Sequence, residues 1–230
     1  MKMIGFYDYT VILTYLSLMS GTIGIMLCLN GMGHPYLGMF FLLFSGLCDT
    51  FDGKVARSKK DRTTQMKKFG IQIDSLSDLI AFGILPACIG IAMLRYIMYI
   101  PDLSGFTKYI LTHYNLQAQI VLTAIAVLYV LAAMIRLAYF NVTEEQRQAH
   151  SSSRRKHYQG LPITSVALII PIVYQLRRFF PEEFPYIYVA MLAVIAFLFV
   201  FDFKVFKPDK KCMLAFVVIG ALIAVKMFLL

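Results

Sequence analysis

Seven apolar runs, each near or approaching the ~20 residues that cross the hydrocarbon core of a bilayer, follow one another along this 230-residue chain. They cover about residues 9–30, 36–57, 69–99, 117–142, 162–176, 186–203 and 212–230. Backbone in lipid must satisfy its own N–H and C=O groups, which makes each run a helix. Hydrophobic residues are 59% of the chain and charged residues 15%, with a mean hydropathy of +0.70. That is too apolar for a soluble globule. The pattern predicts an all-α integral membrane bundle, one domain over residues 1–230, with its core at about 9–207. The last segment, 212–230, is either a further span or an interfacial helix. Pro86 predicts a kink in the third run, and residues 101–116 a loop.

The basic residues set an orientation. With the N-terminus in the cytoplasm, sixteen Lys and Arg fall on that side: Lys2, seven in residues 54–68, four in 147–156 and four in 204–211. Five fall opposite (Arg95, Lys108, Arg177, Arg178 and Lys226), with Arg136 near a helix end. This asymmetry follows the positive-inside rule. Topology and anionic headgroups therefore account for the net charge of +9, and no nucleic acid partner is expected. One lysine precedes the first run and no small-residue cleavage site follows it, so the first span is expected to be retained. The four cysteines (Cys28, Cys48, Cys88, Cys212) lack C-x-x-C spacing and read as inert thiols. The four histidines lack metal-ligand spacing as well.

Two short segments carry the chemistry. Asp49-Thr-Phe-Asp52-Gly53-Lys-Val-Ala56-Arg57 ends the second run, and Gly70-Ile-Gln-Ile-Asp74-Ser-Leu-Ser-Asp78 begins the third. They hold four of the thirteen acidic residues. On helices, Asp49 and Asp52 share one face at i,i+3, and Asp74 and Asp78 share another at i,i+4. Ionisable groups at membrane depth are costly and usually functional. Four carboxylates brought close repel unless cations sit among them, which points to hard divalent metals. Gly53 and Ala56 either let a flat or phosphorylated ligand reach the helix backbone or serve helix packing. Arg57 is either a fork for phosphate oxygens or an interfacial anchor. Gly70 either brings the third helix close to the second or clears room for a ligand.

Asp-x-x-Asp-Gly-x-x-Ala-Arg followed by Gly-x-x-x-Asp-x-x-x-Asp resembles the signature of the CDP-alcohol phosphotransferases, at all eight positions. The gap between Arg57 and Gly70 is twelve residues, longer than is common in that family. Phe69 to Ala87, with its D-S-x-x-D-x-x-x-F-G-x-x-P core, looks like the phosphatidylserine synthase branch. Met134-Ile-Arg-Leu-Ala-Tyr-Phe-Asn141 resembles the branch's R-L-x-x-F-N element. Tyr158-Gln-Gly-Leu-Pro162 resembles its G-L-P element, with Thr164 in place of a second proline, and Phe203-Lys-Val-Phe-Lys207 resembles the end of its sixth helix. Thr14 keeps a common position, whereas Ser17 replaces a frequent asparagine.

The resemblance implies a six-helix bundle with an extra C-terminal segment, and transfer of the phosphatidyl group of CDP-diacylglycerol to L-serine, releasing CMP. It implies that Asp49, Asp52, Asp74 and Asp78 hold two divalent cations, Mg²⁺ or Mn²⁺, and that Asp78 is the base. Gly53, Ala56, Arg57, Gly70 and Thr14 would bind the CDP-lipid. Arg136 and Asn141 would bind serine, although Arg136 snorkelling to headgroups is the plain alternative. A homodimer in the cell membrane, with its site on the cytoplasmic side, is the expected setting. Another acceptor (glycerol 3-phosphate or an inositol phosphate) and an ether-lipid donor stay open. A cation-coupled transporter is a third reading, set against the absence of repeated halves.

Overall fold

Each apolar run forms a helix in the computed structural model, which describes residues 4–30, 34–98, 115–150, 157–206 and 210–229. A 3-10 turn (Tyr9–Val11) leads into α1 (Ile12–Leu29), and α2 covers Pro35–Ser58. Next, α3 (Thr64–Asp78), a π segment (Leu79–Ile84) and α4 (Leu85–Met98) run on as one rod. They are followed by α5 (Asn115–His150), strand β1 (His157–Gln159), α6 (Val166–Tyr174), α7 (Phe184–Val200), strand β2 (Lys204–Phe206) and α8 (Lys210–Leu229). Short 3-10 turns, Ile163–Ser165 and Gln175–Arg178, flank α6. Among the described residues, Tyr9–Leu29, Thr64–Arg95 and Gln119–Arg147 are each long and apolar enough to cross a membrane, and Phe184–Val200 and Val217–Lys226 are shorter apolar helices. The chain is a multi-pass membrane protein. Residues 31–33 between the first two runs, most of the loop expected at 101–116 and the basic run at 151–156 lie outside the described residues.

The first helix shows how a bundle packs where the solvent is lipid. It buries Thr14, Ser17, Ser20, Gly21, Gly24 and Cys28, a stripe of small residues in which Thr14, Ser17, Gly21, Gly24 and Cys28 follow at alternating three- and four-residue steps, with Ser20 beside Gly21. Leu16, Met19, Ile23 and Met26 face outward. Small residues let backbones approach, and serine hydroxyls can then bond across the seam. Ser20 donates to the Phe41 carbonyl at 2.8 Å, Ser45 to the Ser17 carbonyl at 3.1 Å and Ser17 to the Ser45 carbonyl at 3.4 Å. A methyl on Gly21 would meet the Ala81 backbone at 3.0 Å, and one on Gly38 would overlap Cys28 Sγ. This seam fixes α2 against α1 and so fixes the depth of the acidic residues.

The rod formed by α3, the π segment and α4 is the centre of the bundle. Phe82, Leu85 and Ile89 are fully buried with Tyr129 of α5, Tyr188 of α7 and Ile170 of α6. Pro86 has no N–H, so Phe82 loses its usual i+4 donor. The expected kink is taken up as a π segment, and the Tyr129 hydroxyl donates to the Phe82 carbonyl at 2.7 Å. Tyr188 donates to the Pro86 carbonyl at 2.8 Å.

Three boundaries differ from expectation. The third helix begins at Thr64 instead of 69, because the Thr63 side chain caps it by accepting from the Met66 N–H at 3.2 Å. The fourth continues past 142 to His150, and the Arg147–Glu144 pair, at 2.6 Å, braces its last turns. The sixth ends at Val200 instead of 203, because 204–206 is extended and pairs antiparallel with 157–159. Gly160 follows β1 with φ +69, and its N–H donates to the Phe203 carbonyl at 2.7 Å. A left-handed residue is needed there, and glycine takes that conformation without penalty. The last helix is formed over 20 residues, and a methyl on its Gly220 would stand 3.6 Å from Leu43 and Leu168.

Candidate metal centre

The acidic residues meet where the C-terminal half of α2 passes the C-terminal half of α3. One carboxylate oxygen from each of Asp49, Asp74 and Asp78 lies within 4.8 Å of the others. Two oxygens on one divalent ion stand at most about twice the metal–oxygen distance apart, roughly 4–5 Å for Mg²⁺ to Ca²⁺. The trio therefore matches a single shared cation with little rearrangement. All donors are hard oxygens, which suits Mg²⁺, Mn²⁺ or Ca²⁺ and not a thiolate-seeking metal.

Asp52 stands beside the trio. It is 8% exposed, as is Asp78, and its carboxylate neighbours that of Asp74. The Thr14 hydroxyl donates to it at 3.5 Å, and the Ser77 hydroxyl donates to the Thr14 carbonyl at 3.1 Å. Thr14 thus continues the serine ladder of the α1–α2 seam down to the acidic cluster. Among the described residues, no lysine or arginine forms an ion pair with any of the four aspartates. Like charges 4 Å apart repel by about 4 kcal/mol each at an effective dielectric near 20. A divalent cation among them would offset that repulsion, and the donor set fits one.

The remaining residues divide by where they lie. Gly53 and Ala56 follow Asp52 along α2, and the exposed Arg57 folds back so that a methyl on Gly53 would sit 3.2 Å from its Nη1. Gly70 lies one turn before Asp74. These residues form one strip with the carboxylates. Arg136 is elsewhere engaged: it is 5% exposed, its Nε donates to the Leu161 carbonyl at 3.0 Å, and its guanidinium lies 5.7 Å from the Phe140 ring. It is a buried residue and does not snorkel to the surface. Asn141 Nδ2 donates to Ser75 Oγ at 2.7 Å, tying α5 to the helix that carries Asp74.

Ser75, Ser77, Tyr129 and Arg62 were not picked out from the sequence. Two of them lie inside the Asp74–Asp78 motif, where serine between aspartates is a visible signal. Nothing local marks Tyr129, whose partner lies 47 residues away.

The profile of the CDP-alcohol phosphatidyltransferase family matches residues 10–202. The chain is 32% identical over 185 residues to the CDP-diacylglycerol–serine O-phosphatidyltransferase of Saccharomyces cerevisiae, covering 77% of this chain and 56% of that protein. It is 28% identical over 169 residues to the enzyme of the same name from Methanocaldococcus jannaschii, covering 74% and 60%. It is 29% identical over 181 residues to the archaetidylserine synthase of Methanothermobacter thermautotrophicus, covering 79% and 63%. The chain thus spans between 56% and 63% of the length of these three relatives.

Proposed function

The chain belongs to the CDP-alcohol phosphatidyltransferase family, and from that premise we propose that it transfers the phosphatidyl group of CDP-diacylglycerol to L-serine, giving phosphatidylserine and CMP. The convergence of Asp49, Asp74 and Asp78 carries this reading. The names of the relatives supply the acceptor, serine. The archaetidylserine synthase among them favours a second reading in which serine is kept and the donor lipid differs.

The four aspartates would hold two divalent ions, Mg²⁺ or Mn²⁺, with Asp52 and Asp74 completing the second position. Bound there, such ions supply charge neutralisation for a pyrophosphate and for the oxygens of a transferring phosphoryl group. Gly53, Ala56 and Gly70 leave the strip low enough for a nucleotide, Thr14 holds Asp52 in place, and Arg57 pairs with phosphate. Asp78 takes the proton of the serine hydroxyl. The freed oxygen then bonds to the lipid-bearing phosphorus as the bond from that phosphorus to the bridging oxygen breaks, and CMP leaves with the electron pair. Arg136 would recognise the serine carboxylate and the Asn141 amide oxygen its ammonium group. The site opens at the cytoplasmic leaflet of the cell membrane, and the working unit is a homodimer.

The test is CMP release by the purified protein with CDP-diacylglycerol or its ether analogue, an acceptor panel and a divalent ion. Release should require serine and metal, and Asp78→Asn should lower it by at least ~10³-fold while leaving the fold intact. Release with glycerol 3-phosphate and not with serine would overturn the acceptor assignment.

A further inference from the structure

Arg62, in the turn between α2 and α3, folds back into the strip it would otherwise only connect. Its Nη1 donates to the Ala56 carbonyl at 3.2 Å and its Nη2 to the Met66 carbonyl at 3.3 Å. A methyl on Gly70 would stand 2.6 Å from Nη2. Ala56 is one turn after Asp52, and Gly70 one turn before Asp74. The guanidinium therefore bridges the two helices one turn from the carboxylates, in the space that the two small residues leave.

Its bonding there is incomplete. Both carbonyl partners are neutral, and among the described residues no carboxylate pairs with Arg62. Nε is buried and, among the described residues, has no acceptor. A guanidinium presents five N–H donors in one plane and matches the oxygens of a phosphate as a fork. An acidic cluster by itself repels a phosphorylated ligand, so a fixed positive charge at its rim has an electrostatic task.

We propose that Arg62 is a further donor-binding residue, whose guanidinium takes a phosphate oxygen of the nucleoside-diphosphate-linked lipid. The proposal rests on the transferase reading above. In this arrangement Gly70 is small because it seats Arg62, and the carbonyls of Ala56 and Met66 hold the side chain ready.

Equilibrium binding of CDP-diacylglycerol to the full chain in detergent with Mn²⁺ tests it, comparing wild type with Arg62→Lys, Arg62→Gln and Arg62→Ala. Glutamine can still reach a carbonyl but has no charge, whereas lysine keeps the charge. Gln and Ala should weaken donor binding at least tenfold, Lys should recover part of it, and the KM for serine should stay within about twofold. Gly70→Ala, which pushes Nη2 aside, should weaken binding in the wild-type background by more than it does beside Arg62→Gln, where only the clearance over Gly70 remains to be lost. Wild-type affinity in Arg62→Gln would overturn the proposal and leave Arg62 as a tether between helices. Failure of the wild type itself to bind CDP-diacylglycerol would instead strike the transferase reading.

Discussion

Tyr129 donates its hydroxyl to the carbonyl of Phe82 at 2.7 Å, at the one helical carbonyl that Pro86 cannot serve. Both side chains are fully buried. Water has no access to that carbonyl, so removing the hydroxyl leaves a buried acceptor unmatched. Tyr129→Phe should therefore cost about 1–3 kcal/mol, seen as a lower unfolding midpoint in detergent. Phe82 lies one turn after Asp78, so the loss should also reduce turnover modestly. An unchanged midpoint would show that the π segment satisfies Phe82 without Tyr129.

Gly160 is the second backbone position with no substitute. Its φ of +69 lies where an L side chain is strained, and an added methyl would meet the carbonyl oxygens of Phe201 at 3.2 Å and Phe199 at 3.3 Å. Its neighbour Leu161 offers the carbonyl that holds Arg136. Gly160→Ala should cost about 1–3 kcal/mol and raise the KM for serine more than that for the CDP-lipid. Equal changes in both constants would argue that Leu161 does not position Arg136.

These two residues also mark what a reader of the sequence can and cannot see. The helices and the two aspartate pairs were legible, because length, hydropathy and i,i+3 or i,i+4 spacing are local quantities. Gly160-Leu161-Pro162 was visible as a motif, but its reason was not. The pairing of 157–159 with 204–206 joins three-residue strands 45 or more positions apart, too short to leave a period-2 pattern. Arg62 looked like one more charge in a basic turn, since the backbone reversal that returns it to Gly70 has no local signature. Arg136 appeared to be a residue near a helix end that snorkels or binds. Its depth depends on where Leu161 passes, which composition does not record.

Metal should stabilise the protein by binding the folded cluster alone. At a free concentration of 100 times Kd the gain is about 2.7 kcal/mol. Chelation should abolish CMP release and lower the unfolding midpoint, and Mn²⁺ or Mg²⁺ should restore both. Asp49→Asn or Asp74→Asn should shrink the Mn²⁺-dependent rise while raising the metal-free midpoint, because each removes one charge from the repelling trio. A metal-free midpoint that falls in both variants would count against that repulsion.

Acid sensitivity should appear at the entry to α1, where Asp8 pairs with Lys59 at the end of α2. Asp8 caps the first turn, and its carboxyl is held below the ordinary 3.8, chiefly by the Thr10 hydroxyl, with partial desolvation working against it and Lys59, at 3.1 Å, assisting. A carboxyl with a depressed folded value contributes stability above its unfolded value and loses it as pH falls through the folded one. Below about pH 4 the wild type should therefore converge on Asp8→Asn, while at neutral pH it should be slightly the more stable. A constant difference across pH 3 to 7 would show that the cap does not depend on ionisation.

Asn141 and Ser75 should behave as one unit. The amide donates to the hydroxyl at 2.7 Å, and Ser75 directly follows Asp74, so the bond fixes how far α5 stands from the acidic helix. Residues that share a hydrogen bond do not add their effects when both are changed. Asn141→Ala is expected to lower kcat/KM for serine by about tenfold, because it removes both the bond and the amide oxygen offered to the ammonium group. Ser75→Ala removes only the bond and should cost less, roughly threefold, through positioning alone. In the double variant, the loss should equal that of Asn141→Ala, since no bond remains for the second change to break. Multiplication of the two losses would show that the residues act separately, and Asn141 would then owe nothing of its role to Ser75.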